Sequence, residues 1–178
     1  EQATQDGLTR VANRAAFDKM IAKMVATAKT AKAPLSFAML DLDNFKAIND
    51  THGHPVGDRV LLCAAMWLTK GLRQTDFVAR YGGEEFAVIL HGARIAEVEK
   101  RLAIVLADIA SKSFEYEGSD GPREVRFTAS CGVTELTSHD SVEDLVRRAD
   151  EALYEAKRKG KNRVISKKKS LIEGLLGR

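Results

Sequence analysis

The chain has 178 residues, 44% hydrophobic and 30% charged, with a formal net charge of +3. That is enough for one soluble domain with a sizeable core. No apolar run approaches a membrane span and nothing resembles a signal peptide, which excludes those two classes for this stretch. Cys63 and Cys131 lie in apolar segments and form no CxxC pair, so they read as small core residues in a reducing, cytoplasmic compartment. The opening "EQATQDG" has no Met, and the expectation is a piece of a longer protein whose upstream sensor or regulatory region, with any membrane attachment, lies outside it.

In chain order, residues 13–32 carry Phe17, Met20, Ile21, Met24 and Val25 at helical spacing, and Pro34 ends that helix. "LSFAMLDLD" (35–43) reads as a buried strand closing on two acids. "NFKAINDTHGH" is a short helix broken at Gly53, and residues 55–72 form a longer one with Pro55 suited to its start. "DFVARY–GG–EEFAVIL" reads as a hairpin with a two-residue Gly-Gly turn at positive φ. Residues 93–112 form an amphipathic helix. Residues 123–136 read as one long strand after the turn-like "EGSDGP". Residues 141–160 form a helix capped by Ser141 and stopped at Gly160. "NRVIS" is a last short strand. Hairpins mixed with helices predict an α+β fold, a largely antiparallel central sheet flanked by helices, rather than a Rossmann fold. No internal repeat interrupts residues 1–166. Residues 167–178 continue as a basic tail.

The chemistry concentrates at two strand ends. Alternation places Asp41 and Asp43 on one face of their strand. Acids there could equally face water or cap the next helix. Glu84 and Glu85, at the tip of the hairpin, shift that balance. If the strands are neighbours, three or four carboxylates converge, an arrangement that is costly without a cation. Oxygen ligands alone favour a hard ion, Mg²⁺ or Mn²⁺, whose shell substrate phosphates complete. That points to phosphoryl transfer on a nucleotide, with two metals serving the attacking and leaving oxygens. Gly82 and Gly83 allow a ligand close to the backbone. Lys46, Lys157 and Lys161 could hold a polyphosphate, although the basic run 157–169 could also be only a solvated helix end. Asn49 and Asp58 offer an amide and a carboxylate suited to a guanine edge. Strict alternation would send Glu84 and Glu85 to opposite faces, so both reach one site only if the turn twists Glu84 off the strand.

These residues also carry a family resemblance. "RYGGEEF" (80–86) resembles the signature loop of GGDEF-domain diguanylate cyclases in its GGEEF form. "DGLTRVANRAAF", "DLDNFKAINDTHGHPVGDRVL" and "RRADEALYEAKRKGKNRV" resemble the opening, metal and guanine, and closing segments of that family, so the likeness covers roughly Asp6 to Ser166. It implies a nucleotidyl-cyclase, palm-like fold. It further implies that a homodimer condenses two GTP into cyclic di-GMP, releasing two pyrophosphates, with two Mg²⁺ or Mn²⁺ per active site. By resemblance, Asp41, the Leu42 carbonyl, Glu84 and Glu85 bind metal, and Glu84 helps deprotonate the 3′-hydroxyl. Asn44, Phe45, Lys46, Lys157 and Lys161 surround the triphosphate, Gly82 and Gly83 line the nucleotide, and Asn49 and Asp58 read guanine. Lys161 stands where Arg is common. Asp58 implies GTP over ATP, since relatives making mixed dinucleotides tend to carry Ser there. "RQTD" (73–76) resembles the RxxD product site, where Arg73 and Asp76 would bind cyclic di-GMP and restrain turnover; alternatively it is a surface ion pair.

A module that binds GTP or cyclic di-GMP without turnover is the alternative, but such members usually lose the acids present here. A nucleic-acid polymerase would need a basic groove with stacking aromatics. Aromatics are only 6%, and no nucleic-acid partner is expected. His52, His54, His91 and His139 show no zinc spacing. The first two read as loop residues.

Overall fold

The computed structural model describes residues 4–169; most of the expected tail lies outside that range. A five-stranded sheet runs in the order β2 (Phe77–Arg80), β3 (Glu85–His91), β1 (Leu35–Leu42), β6 (Ala129–Glu135), β7 (Val164–Ser166). All pairs are antiparallel except β6 with β7. The central strand β1 is buried along nearly its whole length because helices cover both faces of the sheet. Its alternate residues supply two cores. Ala38, Leu40 and Leu42, with Phe86, Val88 and Leu90 of β3, pack under α3 (His54–Lys70) and α4 (Ile95–Ser111). Leu35, Phe37 and Met39, with Ala87 and Ile89, pack under α1 (Arg14–Ala31) and α5 (Val142–Arg158). The period-2 pattern of one strand thus fixes which helices sit on which side.

Helix starts follow capping chemistry. Asn13 accepts from the Ala16 N–H at α1, and Ser141 and Asp144 form a reciprocal capping box at α5. Pro55 sits in the first turn of α3.

Three expectations are corrected. The segment 123–136 is two strands: β5 (Gly121–Val125) and β6, separated where Phe127 stacks on Trp67 at 5.3 Å and the Thr128 carbonyl accepts from the Asp43 N–H. β5 pairs with an unforeseen β4 (Phe114–Gly118) in a separate hairpin. Its signal was present in "FEYE", whose burial alternates. Cys131 is fully buried, and that burial pushes its thiol pKa up, but Cys63 is only half-buried on α3.

Candidate active site

The register of β1 against β3 sets Asp41 directly opposite Glu85. Glu85 belongs to the face that also carries Ala87 and Ile89, so both acids lie on the α1/α5 side. Lys157, in the last turn of α5, reaches into this strand end. Its ammonium donates to Asp41 Oδ1 at 2.6 Å and to Asp43 Oδ1 at 2.8 Å, and lies 3.3 Å from the carbonyl oxygens of Asp41 and Leu42. Burial alone would lower the Lys157 pKa. Its bonds to Asp41 and Asp43 outweigh that and raise it.

Asp43 is the structural member of the set. It is 3% exposed and accepts from Thr128 Oγ1 (2.6 Å), Ser130 Oγ (2.7 Å) and the Asn162 N–H (3.0 Å) besides Lys157. Burial would raise its pKa, but Lys157, Thr128 and Ser130 together hold it below the usual carboxylate value. Glu85 moves the other way. Burial first, then the charges of Asp41, Asp150 and Glu84, raise its pKa against a small opposing pull from Arg14.

The β2–β3 connection is not a two-residue turn. It spans residues 81–84, and neither Gly82 nor Gly83 has positive φ. At 82 a Cβ would stand 2.8 Å from Glu85 Oε2, so a larger residue there would displace the Glu85 carboxylate. At 83 the added atom would meet nothing, so that backbone is open to approach. The loop is held by groups the sequence reading passed over. Arg80 donates twice to the Gly83 carbonyl, at 2.8 and 3.1 Å, and pairs with Asp6, which also accepts from Thr9. Glu84 precedes the strand. Its carbonyl takes the Leu42 N–H at 3.2 Å, while among the described residues no hydrogen bond or ion pair holds its carboxylate.

Asp41 and Asp43 meet at the Lys157 ammonium, and Glu85, opposite Asp41, feels the charges of Asp41, Asp150 and Glu84. Among the described residues, no three His, Cys, Asp or Glu side chains close into a metal-sized cluster. Unneutralised carboxylates repel, and here Lys157 supplies the positive charge.

Asn49 lies on α2 (Phe45–His52) and Asp58 on the exposed side of α3, joined through Gly53. The Asn49 amide oxygen is buried without a partner. A Cβ on Gly57 would come within 1.8 Å of it, so only glycine leaves that amide room. The β4–β5 hairpin braces this corner through His52 Nδ1 with Tyr116 Oη (2.9 Å) and Arg59 to the Glu115 carbonyl (2.7 Å). His52 and His54 thus close one helix and open the next, rather than lying in a loop. Asn44 takes a left-handed φ of 55° and accepts from Lys161 Nζ. Phe45 packs on the core. Lys46 is not gathered into the site: it pairs with Asp50 along an exposed face at 2.8 Å.

At "RQTD" the two side chains do not pair with each other. Asp76 accepts from the Arg73 backbone N–H (2.8 Å) and from Arg101 (3.0 Å), while the Arg73 guanidinium binds Glu97 at 2.7 Å. The surface Arg–Asp pair considered from sequence is absent, and Arg73 remains half-exposed.

The α+β sheet thus carries an acidic strand-end pair, an open glycine loop and, on the adjoining helix, a buried amide oxygen without a partner. The family model described as "Diguanylate cyclase, GGDEF domain" matches residues 3–163. The chain is 40% identical to the diguanylate cyclase DgcP of Pseudomonas aeruginosa over 164 residues, which is 92% of this chain and 24% of that protein. It is 35% identical to the response regulator PleD of Caulobacter vibrioides, covering 94% of this chain and 37% of PleD. The crystal structure of the GGDEF domain of DgcB from Caulobacter crescentus, in complex with c-di-GMP, superposes with a TM-score of 0.88 at 36% identity, covering 93% of this chain and 94% of that one. The chain belongs to the GGDEF-domain diguanylate cyclase family. It spans about a quarter to under half of the curated relatives it matches.

Proposed function

We propose that this domain condenses two GTP into cyclic di-GMP. The observation that supports it most is the Lys157 ammonium seated between the Asp41 carboxylate and the Leu42 carbonyl, with Glu85 across the strand pair. That all-oxygen set suits a hard divalent ion, and Mg²⁺ or Mn²⁺ would be held by Asp41, the Leu42 carbonyl, Glu85 and Glu84. Once bound, the metal, two ions in the full reading, supplies charge neutralisation on the phosphates and a lower pKa for the attacking hydroxyl.

The chain's own groups do the rest. Asn49, with its unpartnered amide oxygen, and Asp58 read the guanine edge, which favours GTP over ATP. Lys157 and Lys161 bind the triphosphate beside Asn44 and Phe45, and Gly82 and Gly83 let it lie against the loop. Glu84, whose carboxylate has no protein partner among the described residues, accepts the proton of the 3′-hydroxyl as its oxygen attacks the α-phosphorus of the second GTP. A P–O bond forms, the bond to the β-phosphate oxygen breaks, and pyrophosphate leaves; repeating this at the second hydroxyl closes the ring. One domain presents one GTP, so a homodimer is required. Residues 1–166 form the catalytic unit, working in the cytoplasm under an upstream regulatory region. Among the described residues no helix is long and apolar enough to cross a membrane.

Incubation with GTP and Mg²⁺, with product identified by mass and ATP as competitor, should give cyclic di-GMP and two pyrophosphates per product. No product, even from a domain dimerised through a fused coiled coil, would leave only a binding module. Product inhibition through Arg73 gives a second expected result. Arg73→Ala should raise the inhibition constant for cyclic di-GMP in initial-rate assays by about tenfold or more, because a charged hydrogen bond is lost. An unchanged constant would assign Arg73 to its Glu97 pair alone.

A further inference from the structure

Lys157 touches the very atoms proposed to hold the metal. Its ammonium lies 2.6 Å from Asp41 Oδ1 and 3.3 Å from the Leu42 carbonyl, and Asp43 Oδ1 anchors it at 2.8 Å. An oxygen pair with an ammonium in the gap between them cannot hold a divalent ion in that same gap. We infer that Lys157 and the metal compete for one position, and that the triphosphate resolves the competition by drawing Lys157 away. The inference rests on the cyclase reading of the site.

Three features make the exchange workable. The side chain hangs from the last turn of α5 on a four-carbon stem, so its head can move to a phosphate without moving the helix. It is 24% exposed, so an anion arriving from solvent can reach it. Asp43 is bound by Thr128, Ser130 and the Asn162 N–H as well as by Lys157, so it keeps partners and shape when the lysine leaves. The consequence is a coupling. Metal binds weakly while Lys157 occupies the gap and tightly once a nucleotide gives the ammonium another anion. By linkage, metal must tighten nucleotide by the same factor.

The test is Mn²⁺ binding, read from the free-ion paramagnetic resonance signal, for the wild type, Lys157→Met and Asp41→Asn, with and without guanosine 5′-(α,β-methylene)triphosphate. Without nucleotide, Lys157→Met should bind Mn²⁺ at least about tenfold more tightly than wild type, since a charged hydrogen-bond competitor is gone. The analogue should tighten Mn²⁺ in the wild type by a larger factor than in Lys157→Met. Equal nucleotide-free affinities in the two proteins, with thermal melts showing both folded, overturn the inference. Mn²⁺ binding that survives Asp41→Asn overturns the metal assignment itself. If Lys157→Met does not fold, the wild type decides: acetylation of Lys157, followed by mass spectrometry, should rise on adding saturating Mg²⁺, and labelling that Mg²⁺ leaves unchanged overturns the competition. Intact competition without cyclic di-GMP formation would defeat the reaction and leave the competition standing.

Discussion

Replacing Glu84 with Gln should lower the rate of cyclic di-GMP formation by about 10²–10⁴-fold, the range for loss of a positioned acid–base group, with the thermal midpoint within about 2 °C of wild type. The two halves of this expectation come from different parts of the residue. The backbone of Glu84 is structural, since its carbonyl extends the β1–β3 ladder to Leu42, and the substitution leaves it untouched. The side chain is partly exposed and unbonded among the described residues, so an amide of the same size disturbs no packing. Asp43→Asn provides the contrast. That side chain is buried and accepts from Thr128, Ser130, Asn162 and Lys157; a carboxylate turned into an amide there faces donors on every side. Removing the charge beneath those donors should cost about 1–3 kcal/mol. A Glu84→Gln protein that melts like Asp43→Asn would make Glu84 a structural residue. Full activity in a folded Glu84→Gln would remove it from the chemistry.

The same contrast shows what the sequence could carry. The strand ending in "DLD", the Gly-Gly-Glu-Glu tip and the helices around Asn49 and Asp58 were legible because each has a local signal: alternation, a turn dipeptide, a helical period. The α+β sandwich followed from the order of those elements. Register was not legible. That Asp41 faces Glu85 is decided by pairing across 43 intervening positions, counted from the register of β1 and β3. The division of labour between Asp41 and Asp43 was equally hidden, since alternation makes them equivalent and only the partners of Asp43, just before and on β6 and after α5, tell them apart. Arg80 and Asp6 were overlooked because their role is to hold a backbone carbonyl in a loop, which leaves no pattern in the chain. The split of residues 123–136 was missed because its apolar spacing continues across residues 126–128, where tertiary stacking of Phe127 on Trp67 interrupts the ladder.

The largest stability effect should come from the far end of α5. Arg148 and Asp140 form a buried bidentate pair, at 2.7 and 3.1 Å, with side chains 4% and 0% exposed. Arg148 also donates to Thr134 Oγ1 and the Glu135 carbonyl, pinning the helix to β6. Arg148→Met leaves the buried Asp140 carboxylate with only the Thr137 N–H and a longer Lys169 contact at 3.4 Å, and should cost up to about 3–5 kcal/mol in denaturant unfolding at pH 7. Burial by itself would raise the Asp140 pKa. The Arg148 bonds and charge and the Thr137 N–H overcome that and hold it down at about 2. A carboxylate depressed in the folded state stabilises above its unfolded pKa of about 3.9, and that contribution disappears as pH falls through the folded value. The wild type should therefore lose about 2 kcal/mol from this group between about pH 5 and pH 2. In Arg148→Met the main depressing partner is gone, burial then dominates, and acid should relieve the buried charge, so the gap between the two proteins narrows as pH drops. A gap that stays constant from pH 7 to pH 3 would mean the pair contributes packing rather than charge. Because α5 also carries Lys157 in its last turn, a folded Arg148→Met should bind GTP more weakly as well, a loss that a surface ion pair such as Arg147–Glu151 would not transmit.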